Sequence, residues 1–201
     1  MATETLRPGA PAGDECNIDG ENGADCPNHY QNVDEAEPDG NTTDVSTFGA
    51  DYLRDFYNVT DSGVGVGVIN SIKVYAYCEH SGETDQVSLK IAINSGTEEG
   101  APDTPTESTE KSVAASWAYL DNTWTTNPAT TAAWTWDEID KLQIGVSIRR
   151  ASTSDHRTHV TQLYVEVDYT QELEVTSDID TGVAVTATRK VDYIREAFFE
   201  R

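Results

Sequence analysis

The segment DECNIDGENGADCPN, residues 14–28, brings together side chains that could bind a metal ion. Asp14, Asp19 and Asp25 supply carboxylate oxygens, which are the ligands that calcium prefers. The spacing departs from the EF-hand pattern, because Cys26 occupies the position where that pattern requires a bidentate glutamate. A calcium site formed by the three aspartates is therefore one interpretation, and a solvated acidic loop is the other.

The same segment holds two of the three cysteines, Cys16 and Cys26. Its polar residues cannot form a hydrophobic core, so a covalent link would hold it in place. Closing a ring of this size stabilises a fold by about 2–3 kcal/mol. We predict a Cys16–Cys26 disulfide in a chain that is exposed to an oxidising environment. The third cysteine, Cys78, lies on the same face of a predicted strand as Ile72 and Val74, which predicts a buried thiol.

Three tryptophans could present their rings to a ligand: Trp124, Trp134 and Trp136. On an extended chain, Trp134 and Trp136 point the same way. Thr135 and Glu138 then form the capping-box pattern of a short helical turn. Three interpretations fit these tryptophans: they close the end of a hydrophobic core, they anchor a subunit interface, or they stack on a glycan.

No sequence motif indicates catalysis. The chain lacks G-x-S-x-G, H-E-x-x-H and a glycine-rich loop between a strand and a helix. Pairs of carboxylates are uninformative in a chain that contains 36 acidic residues. We therefore predict that the protein is not an enzyme and uses no cofactor, apart from the calcium considered above.

The charge of the chain restricts its partners. Thirteen Lys and Arg against 36 Asp and Glu give a formal charge of −23 at pH 7. This potential repels phosphate backbones and anionic lipids, so we expect no nucleic-acid partner. The longest apolar runs have only the length of a strand, so we expect no membrane insertion. The first residues lack the basic head and apolar centre of a signal peptide.

Alternation of apolar and polar residues indicates strands separated by polar loops. The segments are 42–48, 51–59, 72–79, 86–94, 111–121, 142–148 and 160–170. In two of them Lys73, Tyr75, Tyr77, Glu79, Tyr164, Glu166 and Asp168 lie opposite the apolar side. The pattern predicts an all-β fold, an antiparallel two-sheet β-sandwich of jelly-roll type. The rival is an immunoglobulin-like sandwich, whose cysteine and tryptophan spacing is absent.

The sandwich is expected over residues 30–170, between two extensions. Residues 1–29 are predicted to form an extended N-terminal arm, because they are polar and rich in proline and glycine. Residues 171–201 contain two further strand candidates, which would pair with a neighbouring subunit as an assembly element or extend a sheet of the same sandwich. The predicted interface residues of this appendage are Val183, Val185, Val191, Tyr193, Ile194, Phe198 and Phe199.

Three segments carry a resemblance to known proteins: ATETLRPGAPAGDECNI, VDEAEPDGNTTDVSTFGADYLRDFYNV, and NPATTAAWTWDEIDKLQIGVSIRRAS followed by THVTQLYVEVDYT. Together they resemble jelly-roll virion surface and tail-associated proteins of tailed phages and environmental viral sequences. The resemblance covers roughly residues 2–170. It implies a fold and an assembly role, and it carries over no catalytic residue.

Two hypotheses for function follow. In the first, the protein is a structural subunit of a virion or an extracellular filament, and its terminal segments contact copies of itself or other virion proteins. In the second, it is an adhesin-like carbohydrate-binding module that recognises a host-surface glycan. Both hypotheses place the protein on a virion or in an extracellular surface assembly.

Overall fold

The computed structural model describes residues 1–81, 87–95, 105–150 and 157–171. These residues form two antiparallel β-sheets with very little helix, which confirms the predicted β-sandwich. The described strands are β1 (Ala2–Leu6), β2 (Pro8–Cys16), β3 (Asp19–Asn22), β4 (Asp44–Thr47), β5 (Leu53–Val59), β6 (Val68–His80), β7 (Val87–Asn94), β8 (Thr106–Glu107), β9 (Lys111–Ser112), β10 (Ala118–Trp124), β11 (Gln143–Arg150) and β12 (Thr158–Thr170). Within the described ranges, no helix has the length and apolarity of a membrane span.

The first sheet, sheet A, is built around β12. Its strands follow the order β10, β6, β12, β4 and β3, and β1 also pairs with β12. The register of this sheet places Tyr164 of β12 opposite Tyr75 of β6, and Tyr77 of β6 opposite Tyr119 of β10. Residues directly opposite each other on neighbouring strands project from the same face. The sheet therefore brings these four tyrosines together.

The second sheet, sheet B, follows the order β2, β5, β11, β7 and β8, with β9 beside β7. The chain crosses repeatedly between the two sheets, as expected for a jelly roll. A short helix, α1 (Trp136–Ile139), precedes β11. The side chain of Thr135 caps this helix and Glu138 completes the capping box, as the sequence predicts.

The core lies between the sheets and contains the predicted inward residues. Ile72, Val74 and Ala76 of β6 are fully buried, and so are Leu163 and Val165 of β12. Their outward neighbours along the strands are only partly buried, except for Gln162, which is 1% exposed. The free thiol of Cys78 is also buried, and burial raises its pKa to about 12. This cysteine therefore behaves as an apolar core residue.

The N-terminal residues differ from the extended arm predicted for residues 1–29. They supply β1, β2 and β3 to the two sheets, and Met1–Gln171 forms one compact unit. Leu6, Ala12 and Ile18 are buried in the process. Strands at a sheet edge are held mainly by backbone hydrogen bonds, which need no long apolar run. The low apolar content of this segment therefore does not prevent it from joining the sandwich.

The predicted C-terminal appendage lies almost entirely outside the described residues. All seven of its predicted interface residues fall there, from Val183 to Phe199. Its assembly role stays a prediction.

Candidate functional site

The three tryptophans singled out in the sequence are engaged within the chain. Trp134 is only 4% exposed, and its indole Nε1 donates a hydrogen bond to the Trp124 carbonyl at 3.2 Å. Trp136 donates to the Gly67 carbonyl at 3.0 Å and packs edge-to-face on Tyr169. Trp124 packs against the core from its edge strand. These rings fix the corner of the sandwich around α1.

The cysteines of the N-terminal segment form the predicted Cys16–Cys26 disulfide. It lies beside a buried polar cluster centred on the carboxylate of Asp55. Asp55 accepts hydrogen bonds from the backbone amides of Asn17 and Ile18, at 2.6 and 2.8 Å. Its second oxygen lies 2.8 Å from the Nδ1 of His29. This cluster fastens the segment to sheet B.

The described side chains do not bring the three aspartates of the predicted calcium site together. Among the described side chains, the only group of three metal-ligating residues within 4.8 Å is Cys16, Cys26 and His29. Its two sulfur atoms are bonded to each other, so they do not fit a metal. Asp25 is exposed and Asp19 contacts Thr47 at 3.4 Å. The Asp14 side chain lies outside the described part of the chain, and the calcium site stays a prediction.

A cluster of aromatic side chains covers the outer surface of sheet A. We call it the tyrosine face, and it consists of Tyr75, Tyr77, Trp117, Tyr119 and Tyr164. The strand alternation that buries one side of β6 and β12 turns Tyr75, Tyr77 and Tyr164 outward. Tyr119 is contributed by the edge strand β10 and is 44% exposed.

The rings of the tyrosine face are stacked, nearly perpendicular or, for Tyr77 and Tyr119, tilted at 47° with 4.5 Å between centroids. Tyr75 and Tyr164 are stacked, with 4.8 Å between centroids and 16° between planes. Tyr77 and Trp117 form a second stacked pair at 5.5 Å. The ring of Tyr119 stands nearly perpendicular to Tyr75 and Tyr164, at 85° and 81°. The face therefore combines stacked rings, which shield one another, with one ring that is substantially open to solvent.

Two cations flank the stacked pair. The Nζ of Lys73 lies 4.6 Å from the centroid of Tyr75, and the guanidinium of Arg7 lies 5.1 Å from that of Tyr164. Lys73 also pairs with Asp121 at 3.3 Å. Each cation is attracted to the negative face of its aromatic ring.

The hydroxyl groups of the tyrosine face are directed by acceptors on β12. Tyr75 donates to the carboxylate of Glu166 at 2.9 Å, and Tyr119 donates to the amide oxygen of Gln162 at 2.8 Å. Burial raises the pKa of Tyr164 to about 12, with contributions from Tyr119 and Glu166. Burial also raises the pKa of Tyr75 and that of Tyr119. These hydroxyls therefore stay neutral and can exchange hydrogen bonds with a ligand.

The loop that follows residue 33 is attached to the rim of the tyrosine face. Arg7 donates to the carbonyls of Glu35 and Ala36, at 2.6 and 3.2 Å. The side-chain amide of Gln162 donates to the same two carbonyls, at 2.7 and 3.1 Å. Since Arg7 also contacts Tyr164 and Gln162 accepts from Tyr119, the loop and the rings hold one another in position.

The outer surface of sheet B is built from ion pairs. Glu107 accepts from Lys90 at 2.8 Å, from Arg54 at 3.2 Å and from the hydroxyl of Ser147. Arg54 also donates to both oxygens of Glu15. Burial alone would raise the pKa of Glu107, but its hydrogen bonds and the charge of Lys90 lower it.

A cleft of about 340 Å3 lies on this surface, beside Tyr52, Arg54 and Glu107. The ring of Tyr52 is contacted by Lys90 and Arg149, at 4.4 and 4.7 Å. Its hydroxyl donates to Glu110 at 2.7 Å. The polar groups around this cleft are therefore engaged with one another.

Comparisons with known proteins leave the family open. No family model and no curated protein matches the chain. Among solved structures, it is similar to a family 16 carbohydrate-binding module at 11% identity and a TM-score of 0.37, covering 63% of this chain and 78% of the other. TmCBM61 in complex with β-1,4-galactotriose has 11% identity, a TM-score of 0.37 and coverage of 86% and 90%. A structure described as CBM4 has 12% identity, a TM-score of 0.29 and coverage of 62% and 88%. Likeness at this level carries no functional argument, so function has to be argued from the two surfaces.

Proposed function

We propose that the protein is a non-catalytic carbohydrate-binding module and that the tyrosine face is its binding surface. The observation that carries this proposal is Tyr119, an exposed ring set among neutral hydroxyls and hydrogen-bond acceptors. A sugar ring offers an apolar C–H surface and a rim of hydroxyls. An aromatic ring with a few placed polar groups complements both.

The rings have different tasks in this proposal. Tyr119 stacks on a sugar ring, because it is the most exposed aromatic residue of the face. Tyr75 and Tyr164 are already stacked on each other, so they offer their edges and hydroxyls. Glu166 accepts a hydrogen bond from Tyr75 and is partly exposed, so it lies within reach of sugar hydroxyls. Gln162 is buried and orients the hydroxyl of Tyr119 from below.

The assembly hypothesis is not needed for this proposal. It depends on an N-terminal arm, whose residues form strands of the sandwich, and on residues 171–201, whose predicted contacts lie outside the described part of the chain. The Cys16–Cys26 disulfide supports an oxidising, extracellular location, where polysaccharides are the available ligands.

A glycan array tests the proposal, using wild-type protein with Tyr119→Ala and Tyr52→Ala as a matched pair. Both variants remove one tyrosine, but from opposite surfaces of the sandwich. We expect Tyr119→Ala to weaken binding by about 30-fold, which corresponds to about 2 kcal/mol for a hot-spot residue. Tyr52→Ala should bind as the wild type does.

Circular dichroism and thermal unfolding show whether both variants are folded. The proposal fails if no glycan binds the wild-type protein. It also fails if folded Tyr119→Ala retains wild-type affinity.

A further inference from the structure

We infer that the tyrosine face selects uncharged glycan chains and rejects chains that carry carboxylate or sulfate groups. This inference rests on the proposed function and narrows its ligand class. It is carried by the charged groups of the face and by the contacts that each of them already makes.

The two cations of the face are both occupied. Lys73 lies over the ring of Tyr75 and pairs with Asp121 at 3.3 Å. Arg7 lies over the ring of Tyr164, and its guanidinium donates to the carbonyls of Glu35 and Ala36. An anionic sugar would have to displace these contacts before it could gain a salt bridge, so neither cation is prepared to bind one.

The remaining carboxylates at outward positions of β6, β10 and β12 outnumber the two cations that lie over the tyrosines. Besides Asp121, the outward positions of β6 and β12 hold Glu79, Glu166 and Asp168. Four acids therefore stand against two cations on the face, within a chain of net charge −23. A chain of uronates or sulfated sugars would be repelled both locally and at a distance.

A cationic ligand is attracted at a distance by the acidic residues, but it finds no free ring on the stacked pair. Its best contacts would be the faces of aromatic rings. The outer faces of the stacked pair Tyr75 and Tyr164 are already taken by Lys73 and Arg7, which would repel it at close range. A neutral sugar needs only hydroxyl partners and the open ring of Tyr119. It is the ligand class that disturbs none of the existing contacts.

The test uses the neutral polysaccharide that the array identifies, together with the same polysaccharide after selective oxidation of its primary alcohols to carboxylates. The backbone and linkage stay identical, so the comparison isolates charge. We expect affinity for the oxidised form to fall by more than about tenfold, and to recover partly when the salt concentration is raised and charges are screened.

An Asp121→Asn variant tests the cause. It removes the acid that pairs with Lys73 and leaves a similar shape. The preference for the neutral chain should then fall by about fivefold, the factor that corresponds to about 1 kcal/mol between exposed charges. If Asp121→Asn keeps the full preference, the role given to the Lys73–Asp121 pair is wrong.

The outcomes separate the two proposals. Absence of binding to every neutral glycan would overturn the proposed function. Equal or tighter binding of the oxidised chain, or preference for an amine-bearing chain, would overturn this inference and leave the proposed function standing. The salt series on wild-type protein tests the inference even if the variant does not fold.

Discussion

Tyr52 and Tyr119 stand on opposite surfaces of one sandwich, and their surroundings show how the two surfaces differ. Tyr52 lies between two cations and donates to Glu110, so its ring and its hydroxyl both have partners. Tyr119 keeps 44% of its surface exposed. Cations lie over aromatic rings on both surfaces, and ion pairs around Glu107 also join the strands of sheet B. Under the proposed function, the ion pairs of sheet B contribute to stability and the exposed ring on sheet A contributes to recognition.

The largest effect on stability is expected from Glu107→Ala. The change leaves Lys90 and Arg54 without their shared acceptor on a half-buried surface, which should cost about 2 kcal/mol. Glu166→Ala on the opposite surface removes one acceptor of a tyrosine and should cost about 1 kcal/mol. Urea unfolding measures both changes. The different roles given to the two sheets are wrong if Glu166→Ala lowers the free energy of unfolding more than Glu107→Ala does. They are also wrong if Glu107→Ala weakens glycan binding.

A second prediction concerns acid. The pKa of Glu107 is lowered in the folded protein, so its contribution to stability is present above the ordinary value of 4.5 and is lost as the pH falls through the lowered value. Glu107→Gln should therefore be about 1 kcal/mol less stable than the wild type at neutral pH, and equally stable in acid. Unfolding curves across the acidic range measure this difference. A constant gap at every pH would show that the charge of Glu107 is irrelevant.

The contribution of sheet A to stability should depend on pH in the alkaline range. The pKa of Tyr164 is raised from 10.0 to about 12, so its contribution is complete below the ordinary value and is lost as the pH rises through the raised one. Tyr164→Phe cannot ionise, and its alkaline unfolding midpoint should lie about half a pH unit higher than that of the wild type. Ultraviolet absorption follows tyrosinate formation during the same titration. An unchanged midpoint would mean that Tyr164 ionises without affecting the fold.

The smallest change in stability is expected from Arg149→Ala, and it should depend on the salt concentration. Arg149 pairs with Glu110 on a largely exposed part of sheet B. Arg149→Ala should lower the free energy of unfolding slightly at low salt and less when salt screens the pair. For comparison, the affinity loss of Tyr119→Ala for a neutral glycan should be the same at both salt concentrations. If the affinity loss of Tyr119→Ala depended on salt, charged groups would contribute to glycan binding at Tyr119.

The sequence predicts the sandwich well because alternation reports directly on burial. It places Tyr75, Tyr77 and Tyr164 on the outward sides of their strands, and the structure agrees. It does not show that they meet, because that depends on the register between β6 and β12, which are distant along the chain. A register irregularity between Val160 and Gln162 shifts the pairing further.

Tyr119 is not predictable from the sequence for a different reason. The predicted strand 111–121 corresponds to two separate strands, β9 and β10, which belong to different sheets. Edge strands bury little on either side, so their pattern is weak, and β10 alternates poorly. The tryptophans attract attention by their type and spacing, yet type alone does not distinguish an exposed ring from a packed one. Tyrosines at outward positions of neighbouring strands are the better signal for this surface.

The pairing of β1 with β12 has a consequence for synthesis. Leu6 lies opposite Val165 and Ala2 opposite Tyr169, so the first and the last described strands in the sequence are neighbours in sheet A. During translation, β1 and β6 leave the ribosome long before the strand that joins them. Until β12 is synthesised, the edge of β6 that pairs with it lacks its hydrogen-bonding partner. Contacts of such long range in the sequence form slowly. We expect the nascent chain to stay dependent on chaperones until its last described strand has emerged.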